Sequence, residues 1–511
     1  MDTSSQDEGR RWTVPAAILV IIAFFVIGLL LGWPQAWTHA VVEGHVHEAE
    51  AVAIAAPPMW TVLPFVLLLA AIAVLPLMHF AEHWWEANRN RFLVAAGLAL
   101  VTLAYYAFLH SSAIVGHWPA HKVVQSTDGP VQIDFVRTIL ENAILQEYVP
   151  FIVLLFSLYT ICGGIRIEGD LMAHPMTNAT FMGVGGLLAS FIGTTGAAML
   201  LIRPLLETNK ERKYVTHTVV FFIFIVCNCG GCLLPIGDPP LFLGYLQGVP
   251  FLWTLRLWPE WLFVNGMLLV IYLLLDEFWH YRREELADVQ RDATEIRRLV
   301  IRGWKLNAPL LLGVVLAVAL LDPSKTFPGT DWHPWMYLRE IVQLGLVAAS
   351  LLLGSQAVRD DNQFNYSAII EVAALFFGIF ICMQPALQIL NVRGDEFGLS
   401  APAQFFWATG GLSSVLDNAP TYLVFFETAK AMPPGADAVS VAGVEEHLLV
   451  AISLGAVFMG AMTYIGNGPN FMVRAIAEKS GVKMPSFFGY MVYSFLILLP
   501  LLAIMVWQYV M

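Results

Sequence analysis

The chain has 511 residues, of which 58% are hydrophobic and 13% charged, with a net charge of −12. A soluble protein of this length carries about twice that share of charge, so the composition excludes an ordinary soluble enzyme. No glycine-rich phosphate loop marks an ATP-driven pump, and no His-Glu-x-x-His or Gly-x-Ser-x-Gly sequence marks an intramembrane hydrolase.

Apolar runs long enough to span a bilayer recur from end to end. The first, Val14 to Gly32, is long for a signal peptide. No clear small-x-small cleavage site follows it, so it reads as a retained helix. An outer segment, 33–57, has no Lys or Arg and carries His45, His47, Glu48 and Glu50. Two histidines without further spaced ligands specify little, and this segment reads as a solvated acidic loop.

The remaining crossings are expected at 58–78, 92–109, 140–163, 214–247, 258–277, 306–322, 337–354, 367–390, 446–479 and 485–510. With the first they make eleven. Two further apolar segments, 177–207 and 402–430, are broken in the middle and read as re-entrant hairpins. The fold class is thus an all-α integral membrane protein. If the N-terminus is cytoplasmic and both hairpins return to their side of entry, most Lys and Arg residues fall inside, as the positive-inside rule requires. These include Lys210, Arg212 and Lys213 and the loop from Arg282 to Lys305. The C-terminus then lies outside. The expected location is the inner membrane of a bacterium.

The breaks recur in two halves. Gly193-Thr194-Thr195-Gly196 and Leu416-Asp417-Asn418-Ala419-Pro420 interrupt the hairpins. Ile236-Gly237-Asp238-Pro239-Pro240 and Ile465-Gly466-Asn467-Gly468-Pro469 interrupt the fifth and tenth crossings. Glu147 pairs with Glu371, Thr195 with Asp417 and Ile236 with Ile465, at offsets of 224, 222 and 229. Similar offsets in one order indicate an internal repeat. Five crossings per half make the second repeat inverted. The domains read as 1–57 (helix and outer loop), 58–277 (repeat 1), 278–305 (cytoplasmic linker) and 306–511 (repeat 2).

Unpaired backbone in lipid costs several kcal/mol per group, so such breaks persist only around a cavity or inside protein. Paired breaks in inverted halves meet near the midplane and mark a transport site. Asp417 and Asp238 sit in the breaks, and membrane-interior carboxylates tend to mark ion or proton paths. Hard oxygen donors suit a small cation. The candidate shell is Asp417, Asn418, Asp238, Asn467, Asn470, Thr194 and Thr195, with Asp417 and Asp238 as sodium ligands. Helix capping is the competing account of both aspartates, since N-caps favour Asp and first turns tolerate Pro. Asn467 and Asn470 alternatively satisfy unwound backbone. Glu147 and Glu371 are candidates for a proton path. Cys227, Cys229 and Cys232 lie in an apolar helix, where small residues serve close packing more often than metal binding.

These motifs resemble the ion transporter superfamily over residues 58–510. That superfamily groups D-type sodium/proton antiporters, arsenite carriers, citrate–metal carriers and divalent anion/sodium symporters. Ser413 to Thr421 is similar to the serine-rich Asp-Asn-x-Pro break of the D-type antiporters. Ile236 to Pro240 resembles the corresponding break of arsenite-carrier-like members, and Ile465 to Asn470 its second-half counterpart. The dicarboxylate branch carries Ser-Asn-Thr at both tips, which this chain lacks. The resemblance implies a sodium/proton antiporter with Asp417 as the exchanged carboxylate. The alternative is a sodium-coupled symporter of a carboxylate or inorganic oxyanion. It further implies a homodimer in the bilayer, no cofactor beyond transported Na+ and H+, and no nucleic-acid partner.

Overall fold

The computed structural model describes residues 3–44, 55–78, 81–285, 297–432 and 438–510. His45, His47, Glu48, Glu50 and the Arg291 part of the linker lie outside them. Among the described residues, six helices are long and apolar enough to cross a membrane, and several shorter apolar helices accompany them. The protein is therefore an all-α, multi-pass membrane protein. Each expected crossing falls on helix. The expected outer loop is helical in part, over Trp33–Gly44, and the expected linker ends in a short strand, Arg297–Arg302.

By contact the chain divides into two compact units. One comprises Met1–Ala55, Phe92–Arg166 and Arg302–Gln384, the other Ala56–Arg91, Ile167–Ile301 and Pro385–Met511.

In the first unit, helix Thr3–Leu30 packs on Leu338–Leu353, which also packs on Val149–Cys162 and Trp304–Leu320. Ile133–Leu140 runs without interruption through a π-helical stretch, Glu141–Tyr148, into Val149–Cys162. Glu147 is buried within this stretch. Arg359 is 3% exposed. It donates to the Thr160 carbonyl at 2.6 Å and to Ser350 Oγ at 2.6 Å. Both lie in the last turns of helices, whose partial negative charge suits a buried cation.

The second unit holds two helical pairs and two broken helices. Pro175–Ile192 and Thr194–Thr208 are joined by Gly193 alone, at φ 79°. This reversal within one residue needs the left-handed region that glycine enters without strain. Reciprocal amide bonds between Asn178 and Asn209, at 2.8 and 2.7 Å, close the other end of the pair. Pro402–Ser413 and Asn418–Lys430 form the second pair, joined through residues 414–417. The first broken helix runs Thr216–Ile225, a single turn Cys229–Cys232, then Pro239–Leu246. The second runs Glu446–Met459, a turn Gly460–Met462, then Gly468–Lys479.

These elements pack crosswise. The first helix of each pair lies on the leading half of the broken helix that follows it. Thr194–Thr208 packs on Gly468–Lys479, and Asn418–Lys430 packs on Pro239–Leu246. Sequence-distant breaks are thereby brought into contact.

Trp85 is buried at 2% exposure, whereas Trp84 is 48% exposed.

Candidate functional site

The unwound backbone at each break is satisfied by side chains, as burial away from water requires. At the first break, Ser190 Oγ donates to the Gly230 carbonyl at 2.6 Å and accepts from the Leu233 amide at 3.1 Å. Trp261 also donates to Gly230 O, Asn265 to Cys229 O and Thr254 to Leu233 O. At the second, Ser413 Oγ donates to Ala456 O at 2.7 Å. Thr463 Oγ1 donates to Ser414 O and accepts from the Ile465 and Gly466 amides.

The glycines of the two breaks sit alike. A Cβ on Gly237 would lie 2.2 Å from Gly231 O and 2.9 Å from Ser190 Cα, and one on Gly466 2.6 Å from Gly460 O and 2.7 Å from Ser413 O. Gly237 and Gly466, Gly231 and Gly460, and Ser190 and Ser413 thus occupy matching places.

Asp238 stands at the centre, 1% exposed. It occupies the N-cap position of Pro239–Leu246, yet its side chain makes no capping bond there. The carboxylate instead reaches three other elements. Thr194 Oγ1 donates to Oδ1 at 2.9 Å, Asn467 Nδ2 to Oδ1 at 3.0 Å and Asn418 Nδ2 to Oδ2 at 2.6 Å. Asp238 and Asn467 are 229 positions apart, Asp238 and Asn418 180.

Each of these four residues begins a helix. Thr194 and Asn418 are the first residues of Thr194–Thr208 and Asn418–Lys430. Asp238 and Asn467 are the N-caps of Pro239–Leu246 and Gly468–Lys479. Four helix N-termini therefore converge on one carboxylate. Each carries about half a positive charge, so roughly +2 in all surrounds a single −1. These helix ends and hydrogen bonds offset part of the cost of burying the charge away from water.

The other sequence-predicted residues divide. Asp417 is half-buried and caps Asn418–Lys430, its Oδ1 accepting from the Ala419 amide at 3.0 Å. Asn470 holds the second break, donating to Gly460 O and Thr463 O, both at 2.9 Å. Thr195 follows Thr194 in the same first turn and takes no part in the hydrogen bonds described around Asp238. Glu147 and Glu371 belong to the first unit, not to the unit that contains this cluster.

Cys227, Cys229 and Cys232 are buried free thiols, and no group of three or more metal-ligating side chains occurs among the described residues. Their segment contributes backbone instead: Asn467 Nδ2 also donates to Cys227 O at 3.1 Å. Sequence reasoning missed Ser190, Asn265, Thr463 and Asn228. Their signal in the sequence is a polar residue inside an apolar run.

The sequence model of the CitMHS_2 family, described as "Putative citrate transport", matches residues 54–510. The chain belongs to this family. It is a member of a family of membrane carriers, within the ion transporter superfamily that its breaks resemble. No curated protein matches the chain in sequence.

Proposed function

We propose that this CitMHS_2 member is a cation-coupled secondary transporter of a carboxylate anion, with Asp238 as the coupling carboxylate. The convergence of four helix N-termini on Asp238 carries the reading. One buried carboxylate holds a cation or a proton. The positive field of the helix ends accommodates an anionic substrate without a Lys or Arg in the hydrogen-bonded cluster. The family description favours a polycarboxylate such as citrate.

Rotating the Asn418 amide turns a donor into an acceptor. Asp238, the Asn418 amide oxygen and Thr194 Oγ1 then offer hard oxygen ligands for sodium, while Asn467 stays held by the Cys227 carbonyl. Asp417 lies one residue from these ligands and contributes negative charge at their edge.

The two helical pairs act as re-entrant hairpins of two inverted repeats, 58–277 and 306–511, joined by linker 278–305. The matching glycine and serine places at the two breaks support this relation. The eleven-crossing topology, with the N-terminus cytoplasmic and the C-terminus outside, belongs to the same proposal. So does a homodimer in a bacterial inner membrane.

Sodium/proton antiport is the second reading. It is favoured by Asp417, which adds to Asp238 a second carboxylate, at the tip of the second pair within the antiporter-like Ser413 to Thr421 segment.

Proteoliposomes with a lumenal pH dye separate the two. Labelled citrate and other carboxylates are offered under an inward sodium gradient and, separately, a proton gradient. Gradient-driven accumulation that is lost in Asp238→Asn supports symport. Alkalinisation of the lumen after an external sodium jump, without accumulation of any carboxylate, overturns symport in favour of antiport.

A further inference from the structure

In the first unit, Ile114–Gly116 pairs antiparallel with Lys122–Val124, and Gly116 stands opposite Lys122. The next residues outward are His117 and His121, so the hairpin sets them against each other. Their rings meet edge to face at 90°, with centroids 4.9 Å apart. The two Nδ1 atoms lie 3.2 Å from one another. In a hydrogen bond between two imidazole nitrogens, one carries the proton and the other offers its lone pair. If the donor ring carries its proton on Nε2 instead, two lone pairs stand side by side.

That separation fits a metal ion. An ion held tetrahedrally at about 2.0–2.1 Å from each nitrogen sets its ligands about 3.3–3.4 Å apart. Turning each ring about its Cβ–Cγ bond aims both lone pairs at one point, with no movement of the backbone.

The hairpin beneath the pair is firmly held. Asn142 is 2% exposed. Its Oδ1 accepts from the His117 amide at 2.7 Å, and its Nδ2 donates to Val115 O at 2.9 Å. Trp118 is buried and packs on Trp37, with ring centroids 5.3 Å apart. Lys122 Nζ donates to Glu141 Oε2 at 2.8 Å, and that carboxylate offsets the lysine charge beside the pair. His121 is exposed and His117 half-buried, so an ion in solution can reach them. Ligands fixed in advance lose little freedom on binding.

We infer that His117 and His121 form a two-nitrogen site for a divalent transition ion such as zinc, nickel or copper. Imidazole suits these ions, whereas magnesium and calcium take oxygen ligands. No group of three or more metal-ligating side chains occurs among the described residues. Water therefore fills the remaining positions, and the ion is held reversibly rather than in a closed structural site. The Asp238 cluster belongs to the other unit, and the histidine site does not depend on how that cluster is read. Both rings must be unprotonated to bind, so affinity falls on acidification.

The test is equilibrium dialysis of the purified full-length protein, without a polyhistidine tag, against zinc. Wild type is compared with His117→Ala, His121→Ala, His39→Ala and His83→Ala. His39 and His83 are the controls, exposed and lying 3.2 and 3.6 Å from Glu43 and Glu86. One saturable zinc per chain is expected in wild type and both controls, undisturbed by excess magnesium and weaker at about pH 5.5 than at about pH 7.5. Affinity should fall at least about tenfold in His117→Ala and in His121→Ala, since even the loss of a ligand's supporting partner costs ten- to a hundredfold. Electron paramagnetic resonance of the copper(II)-loaded protein should show two coupled nitrogens in wild type and one in either variant. Size-exclusion confirms that the variants are folded. Wild-type affinity in both His117→Ala and His121→Ala would overturn the site. So would a loss confined to His39→Ala or His83→Ala, which would place the ion at another surface pair. Folded wild type that binds no saturable zinc would also overturn it.

Discussion

Replacing Asp238 separates its charge from its hydrogen bonds. Asp238→Asn keeps the volume and one acceptor oxygen. Oδ1 still accepts from Thr194 and Asn467, at 2.9 and 3.0 Å in the native site. The new Nδ2 faces Asn418, whose amide rotates to accept from it. The expected loss of stability is about 1–2 kcal/mol, since charge-assisted hydrogen bonds become neutral ones. Asp238→Ala removes every acceptor. The Thr194 and Asn418 donors are then stranded, while Asn467 keeps the Cys227 carbonyl. At about 1–3 kcal/mol for each stranded donor, plus the lost packing, the expected cost is roughly 3–6 kcal/mol. Thermal unfolding in detergent, followed by size-exclusion of the surviving fraction, should rank wild type above Asn above Ala. Transport should rank differently. Both variants lose the cation-binding charge, and about 3 kcal/mol of lost binding is a loss of about 100-fold in sodium-driven uptake. Equal stability of the two variants would refute the hydrogen-bond account. Wild-type sodium dependence in Asp238→Asn would refute the coupling role.

Further outcomes follow from the same geometry. Asp417→Asn should keep stability within a few tenths of a kcal/mol, because Asn caps as well as Asp, whereas Asp417→Ala should lose about 1 kcal/mol; thermal melts check both. Uptake by Asp417→Asn then decides whether this carboxylate has a role beyond capping. Gly237→Ala and Gly466→Ala force a Cβ against backbone at 2.2 and 2.6 Å. Each should destabilise by about 1–3 kcal/mol or more and lower transport, whereas Ala at Gly468, where nothing lies within 4 Å, should leave the yield of folded protein unchanged. Arg212 meets Asp276, whose side chain is fully buried, in a pair that also receives His217 and Tyr272. Arg212→Ala should cost about 3 kcal/mol in the melt, because it leaves a buried carboxylate short of its cation.

Much was legible in the sequence because its cause is local. Long apolar runs have one stable solution in lipid, a helix, so the membrane class and the helical segments follow from composition and length. Pro239-Pro240 after Asp238, and Gly468-Pro469 after Asn467, announce helix starts by chemistry that acts within a few residues. The Gly-Asp and Gly-Asn breaks of the broken helices single out Asp238 and Asn467, and the breaks of the two pairs single out Thr194 and Asn418, from the sequence alone. Only tertiary structure decided how those residues are used. Asp238 and Asp417 have similar local patterns, an aspartate at the N-cap of a helix with proline in its first turn. One ignores its own helix and bonds to three others; the other caps. That choice depends on crosswise packing of helices some 180 to 229 positions apart, which no local pattern encodes. The interleaved units are of the same kind, since segments far apart in the chain form each of them. The Asn228 amide likewise joins the Ile223 carbonyl of the first broken helix to Asn470 of the second. Propensity and spacing are properties of neighbours along the chain. The site is a property of neighbours in space.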